Sequence, residues 1–203
     1  MRCLLFFLSV FTLFAAGCGE YDEKTLIMVT EATFPPYEFR SGGDIVGIDP
    51  DIIRAASDKL GYDLVIMDMA FDSVIPAVQT GRADIAASGI TVTEERKKQV
   101  LFSVPYVVSA QVVIVRKNSG IAAAGDLYQP GIAVGVQHGT TGDIFVTKNI
   151  GEPERFANGA LAIAALRSGK LGIHNRCNNL LATILAWTKP LRKPIPAKAS
   201  IWR

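Results

Sequence analysis

Short apolar runs alternate along the chain with stretches that carry apolar residues every three or four positions. Residues 26–29 (Leu-Ile-Met-Val) form a run that predicts a buried strand. A helix is expected next, with Asp49 as its cap and Pro50 in its first position. Ile52, Ile53, Ala56 and Leu60 would share its buried face, and Gly61 would end it. Residues 64–67 read as a second strand and residues 71–80 as a second helix stopped by Gly81, with Pro76 tolerable only near its first turn. Residues 85–87 are a third strand that runs into the turn 88–91. Thr93 then caps a third helix, with Glu94 and Glu95 in its first turn and Lys97 and Lys98 further on.

Beyond a connecting stretch at 107–111, the same alternation resumes. Residues 112–115 and 132–136 read as strands, an apolar stretch follows near 144–146, and Asn158 caps a helix over 160–167 that Gly169 stops. Strand and helix in alternation predict the α/β class, with sheets flanked by helices. Lobe one is expected over 24–109 and lobe two over 110–170.

The N-terminus has a different pattern. Arg2 is followed by an apolar run over 3–16 and then Gly17-Cys18-Gly19, the order of a secretory signal. The run is short for a membrane span, which needs roughly 20 apolar residues. The Ala-Ala-Gly-Cys ending resembles a bacterial lipobox, so residues 1–17 are expected to be a signal peptide, Cys18 a lipidated membrane anchor and 18–23 a linker. Cys3 would leave with the signal, which strands Cys177 without a disulfide partner. A nucleophilic pairing of Cys177 with His174 has nothing around it in support.

The net charge of +2 gives no footprint for nucleic acid. There is no phosphate loop, dinucleotide fingerprint, zinc spacing or nucleophile elbow, and only two histidines could serve as general bases. No catalytic residue, metal or cofactor is therefore expected, and a binding role precedes an enzymatic one. A small zwitterion needs a guanidinium and hydroxyl or amide donors for its carboxylate. Ser88, Gly89, Thr91, Thr93 and Arg96 supply that set at the carboxyl end of a strand, where open α/β sheets place their ligands. The bland alternative leaves Thr93 as a helix cap and Arg96 as a solvated surface residue.

These pieces are not isolated. Glu31-Ala-Thr-Phe-Pro-Pro-Tyr-Glu-Phe is followed by Val46-Gly-Ile-Asp-Pro-Asp-Ile-Ile, then Ile75-Pro-Ala-Val and Gly81-Arg-Ala-Asp. Ser88-Gly-Ile-Thr-Val-Thr-Glu-Glu-Arg, Phe102-Ser-Val-Pro-Tyr and the stretch 135–141 complete the series. In this order they resemble the extracellular solute-binding proteins of family 3, the polar amino acid receptors of bacterial ABC transporters, over about 26–169. The resemblance implies a two-lobed periplasmic-binding fold of type II, monomeric, that closes like a hinge on an amino acid and is read by a transporter permease. It implies that Arg96 pairs with the ligand carboxylate, helped by Thr91 and by amides around Gly89 and Thr141. Ser88 and Gly89 would meet the amino end, Phe34 and Phe71 would sandwich the stem, and Glu31 would face a distal polar or cationic group. His138, Thr140 and Thr141 would contribute from lobe two.

The pattern departs from the family after residue 170. The family's aspartate for the ligand amino group has no counterpart in 172–179, and all 19 acids lie at or before Glu154, while 155–203 holds nine Lys or Arg and no acid. Residues 171–203 thus read as an aberrant basic tail, expected from a shifted reading frame near 171–172, with an incomplete second lobe and poor stability. The alternative is a genuine basic tail in which Leu180, Leu181, Ile184 and Leu185 form a helical turn or two on lipid or a partner. Competing functional readings are a periplasmic dehydratase of cyclohexadienyl substrates on the same fold, a sensor module, and a non-functional remnant.

Overall fold

The computed structural model describes residues 24–117, 119–171 and 180–186. The expected signal, Cys18, His174, Cys177 and most of the basic tail lie outside them.

β1 (Thr25–Thr30) is the centre of the first sheet, and its last four residues are buried. It pairs in parallel with β5 (Asp63–Asp68) on one side and β6 (Ile85–Ala86) on the other. Between them run β2 (Thr33–Phe34), β3 (Glu38–Ser41) and β4 (Asp44–Val46), a small antiparallel sheet that folds over the carboxyl end of β1. Val29 and Ile27 of β1 pack on Val74, Ala77 and Ala83 to form the lobe-one core.

Helix α1 (Ile48–Leu60) does not start on Asp49. Its cap is Gly47, and its first amides are satisfied by main chain: Ile48 N–H donates to Pro36 O at 3.1 Å and Asp49 N–H to Tyr37 O at 3.0 Å. Asp49 is therefore released from capping, and its carboxylate turns inward. The buried face is mixed, with Asp49 and Ser57 beside Pro50 and Ile53, while Ile52 and Leu60 are exposed. Gly61 ends the helix in the left-handed conformation at φ 74°. In α2 (Phe71–Gln79) Pro76 sits in the interior rather than the first turn. The short α3 (Glu94–Lys97) carries the expected cap, with Thr93 Oγ1 accepting from Arg96 N–H.

The second sheet has the order β7-β10-β8-β9. β7 (Ala110–Val115) is the first strand after the crossing, β8 (Ala133–Gln137) and β9 (Glu154–Phe156) run parallel to each other, and β10 (Leu180–Ala186) lies between β7 and β8. Over 180–185, where the alternative reading of the tail had a helical turn, the chain is a strand: a short apolar run without polar alternation does not choose between the two by itself. Helices α4 (Thr141–Asn149) and α5 (Gly159–Ser168) cover this sheet, capped by the Thr140 hydroxyl and the Asn158 carbonyl. The lobe-two core gathers Leu127, Val134, Val136 and Val146, with Ala162, Leu166 and Leu171 beneath α5.

Candidate functional site

A cavity of about 330 Å³ opens between the lobes at the carboxyl ends of β1, β6 and β8. That volume suits a small organic solute. All the expected site residues line it except His138 and Thr93.

Arg96 is the centre of the lobe-one wall. It is only 7% exposed, which excludes the solvated surface alternative. One guanidinium nitrogen donates to Thr91 O at 2.8 Å and another to Gly139 O of lobe two at 3.0 Å. Its carbon lies 5.6 Å from the Phe71 ring centroid, a cation–π contact. Burial lowers its pKa, yet guanidinium stays charged at any ordinary pH. A buried cation whose hydrogen-bond partners are neutral carbonyls is a site prepared for an anion.

Glu31, expected to face a distal ligand group, is buried in the wall of the same cavity. Its carboxylate accepts from Thr33 Oγ1 at 2.6 Å and from Gln137 Nε2 of lobe two at 2.9 Å. Burial raises its pKa, partly offset by those two donors, and nearby Asp68 adds to the rise. A cation beside it would hold it ionised. Phe34 and Phe71 also line the cavity, and Phe34 is stacked on Tyr37 at 5.3 Å.

At two expected residues the geometry departs from the expected contacts. The Gly89 amide is already committed, since it donates to Asp49 Oδ2 at 2.8 Å. The release of Asp49 from helix capping explains that. His138 leaves the cavity and sets Nδ1 2.9 Å from Asp72 Oδ2 at the rim. Gln137 takes its place in the wall. The two-residue period of β8 puts Val136 in the core and Gln137 on the opposite side, and the chain turns away at 138. That alternation was a readable signal. Ser88 accepts from Glu31 N–H at 3.0 Å, and its hydroxyl lies 3.4 Å from Glu38 Oε1. Thr140 donates to Gln137 O and caps α4, and Thr141 Oγ1 lies 3.2 Å from Gln111 Oε1. Sequence reasoning also passed over Gln111, Glu38 and Tyr106. No cluster of metal-ligating side chains exists among the described residues.

Two α/β lobes joined by crossing chain, with a polar and aromatic cleft between them, define a two-lobed solute-binding fold. The family model for bacterial extracellular solute-binding proteins, family 3, matches residues 26–189, and the chain belongs to that family. The match runs past Gly169, where the motif series stops. The chain is 38% identical over 143 residues to the arginine-binding extracellular protein ArtP of Bacillus subtilis, covering 68% of this chain and 55% of that protein. It is 35% identical over 162 residues to a probable histidine-binding protein of Neisseria gonorrhoeae, covering 77% and 60%. The chain thus spans somewhat more than half the length of these relatives. Among solved structures, the arginine-bound truncated ArgBP of T. maritima superposes with a TM-score of 0.70 at 38% identity, covering 80% of this chain and 74% of that one.

Proposed function

We propose that this chain is the receptor part of an amino acid ABC transporter and that its preferred ligand is a cationic amino acid. The observation that carries this reading is the pair of buried opposite charges in the cleft wall, Arg96 and Glu31, with Phe34 and Phe71 lining the same cavity. A ligand carboxylate would replace the carbonyl partners of the guanidinium and gain a charge-assisted, bidentate contact. A guanidinium or imidazolium on the ligand side chain would neutralise Glu31, whose ionised form burial disfavours. The named relatives are arginine- and histidine-binding proteins, which agrees with that pair of charges.

Gln137 and Gly139 of lobe two already touch Glu31 and Arg96 of lobe one, so ligand in the cleft would bridge the lobes and favour closure. The closed form would be recognised by a membrane permease, with the chain held at the membrane by lipid on Cys18 and acting as a monomer. The test is a thermal-shift panel on the full chain with the twenty amino acids and agmatine, which is arginine without its carboxylate. Arginine or histidine should raise the melting temperature most, and agmatine should fail to do so. Equal shifts from arginine and agmatine would remove the carboxylate site from the account.

A further inference from the structure

Two carboxyls at the cavity wall, Glu38 in its lining and Asp49 outside it, have no role assigned by ligand binding. Glu38 opens β3 and Asp49 lies in the first turn of α1; each is only 1% exposed. The Gly89 backbone brings them together: its amide donates to Asp49 Oδ2 at 2.8 Å, and a Cβ there would lie 3.7 Å from Glu38 Oε1. The ion pairs of the described residues all lie elsewhere, with Arg40 on Asp68 and Arg155 on Asp143 and Glu152. The other groups that face the pair are Glu31, Tyr37, Tyr106 and Ser88, all acidic or neutral.

The donors distinguish the two acids. Both oxygens of Asp49 are served, Oδ1 by the Tyr106 hydroxyl at 2.7 Å and Oδ2 by the Gly89 amide at 2.8 Å. A position in the first turn of a helix also favours its negative charge. Glu38 has only the distant Ser88 hydroxyl at Oε1, and its Oε2 is buried with no donor at all. Two adjacent buried carboxylates without a cation would be strongly unfavourable, whereas one proton between them removes the repulsion and gives the bare Oε2 its hydrogen.

We propose that Glu38 is held as a carboxylic acid that donates its proton to Asp49, and that the pair positions the 88–91 turn for the ligand. Asp49 fixes the Gly89 amide, at a glycine whose φ is +52°, and the same turn presents Thr91 O to Arg96. Burial and the adjacent Asp49 push Glu38 up to about 10, with Glu31 adding to the rise. Glu38 thus keeps its proton through the neutral range when the chain is folded and loses it there when unfolded. Stability from this group is full below the unfolded value, about 4.5, and declines as pH rises toward 10.

This role rests on the amino-acid-binding reading, but the protonation itself is read without ligand. Carbon-13 NMR of glutamate carboxyls in the ligand-free full chain should show one signal still protonated at pH 7 and missing in Glu38→Gln. A full set of carboxyls that titrate in the ordinary range, or a protonated signal that survives in Glu38→Gln, overturns the proposal whether or not any amino acid binds. Glu38→Gln keeps a donor for Asp49, so its ligand affinity at pH 7 should stay within about threefold of wild type, while Glu38→Ala should weaken binding roughly tenfold. Its melting temperature should gain on wild type steadily from pH 5 to pH 9. Wild-type affinity in Glu38→Ala, or a pH-independent melting difference for Glu38→Gln, would refute the positioning role.

Discussion

Replacing Glu31 by Gln removes one buried negative charge and keeps the shape of the cleft. The amide oxygen can still accept from Thr33, and Gln137 can turn its own amide to suit. What changes is the interaction with a ligand cation. Two unit charges about 4 Å apart attract by ~4 kcal/mol at an effective dielectric constant of ~20. Part of that is offset because a guanidinium must leave water to reach the site. A net loss of ~2 kcal/mol is a reasonable expectation, roughly 30-fold in dissociation constant. A neutral ligand such as glutamine has no such attraction to lose, and its affinity should change by less than about threefold. Parallel calorimetric titrations of arginine and glutamine into wild type and Glu31→Gln give the comparison directly. An equal loss for both ligands would show that Glu31 acts through the shape of the cleft, and unchanged arginine binding would show that its charge is not used.

Two other substitutions test how the site is held. A Cβ on Gly47 would stand 2.2 Å from Tyr37 O, at a φ of +134°. Gly47→Ala should therefore destabilise lobe one by ~2–4 kcal/mol in denaturant unfolding, and a wild-type midpoint would refute the close approach. In lobe two, burial would raise the Asp143 pKa, but Arg155 together with the Gly139 amide and Thr147 holds it below the ordinary value. Stability from that arrangement is present above about pH 4 and is lost as pH falls through the lowered folded value. Arg155→Met should melt below wild type at neutral pH, and the gap should close in acid; a gap that widens there would contradict the pairing.

The local signals in the sequence were those governed by local chemistry. Thr93 and Asn158 act as caps and Gly61 and Gly169 end helices, because each needs only a side chain or a left-handed backbone beside the helix terminus. Asp49 failed the same rule because the helix begins before it, with Gly47 as the cap and the amides of Ile48 and Asp49 taken by Pro36 O and Tyr37 O in the turn between β2 and β3. Arg96 was legible only with its surrounding motifs, since a threonine three residues before an arginine says nothing about burial. The Glu38–Asp49 contact joins a strand to a helix, and no spacing along the chain announces it. The strand at 180–186 was illegible for a different reason: its apolar run suits helix and strand alike, and its two neighbours in the sheet decide the matter.

The central claim is that an amino acid binds between the lobes with its carboxylate on Arg96. Isothermal titration of L-arginine into the full chain and into Arg96→Met tests it most directly. Loss of a buried, charge-assisted bidentate contact costs about 3 kcal/mol or more, so the variant should bind at least ~100-fold more weakly while the wild type saturates at one ligand per chain. Saturable binding with the same affinity in both proteins would contradict the account.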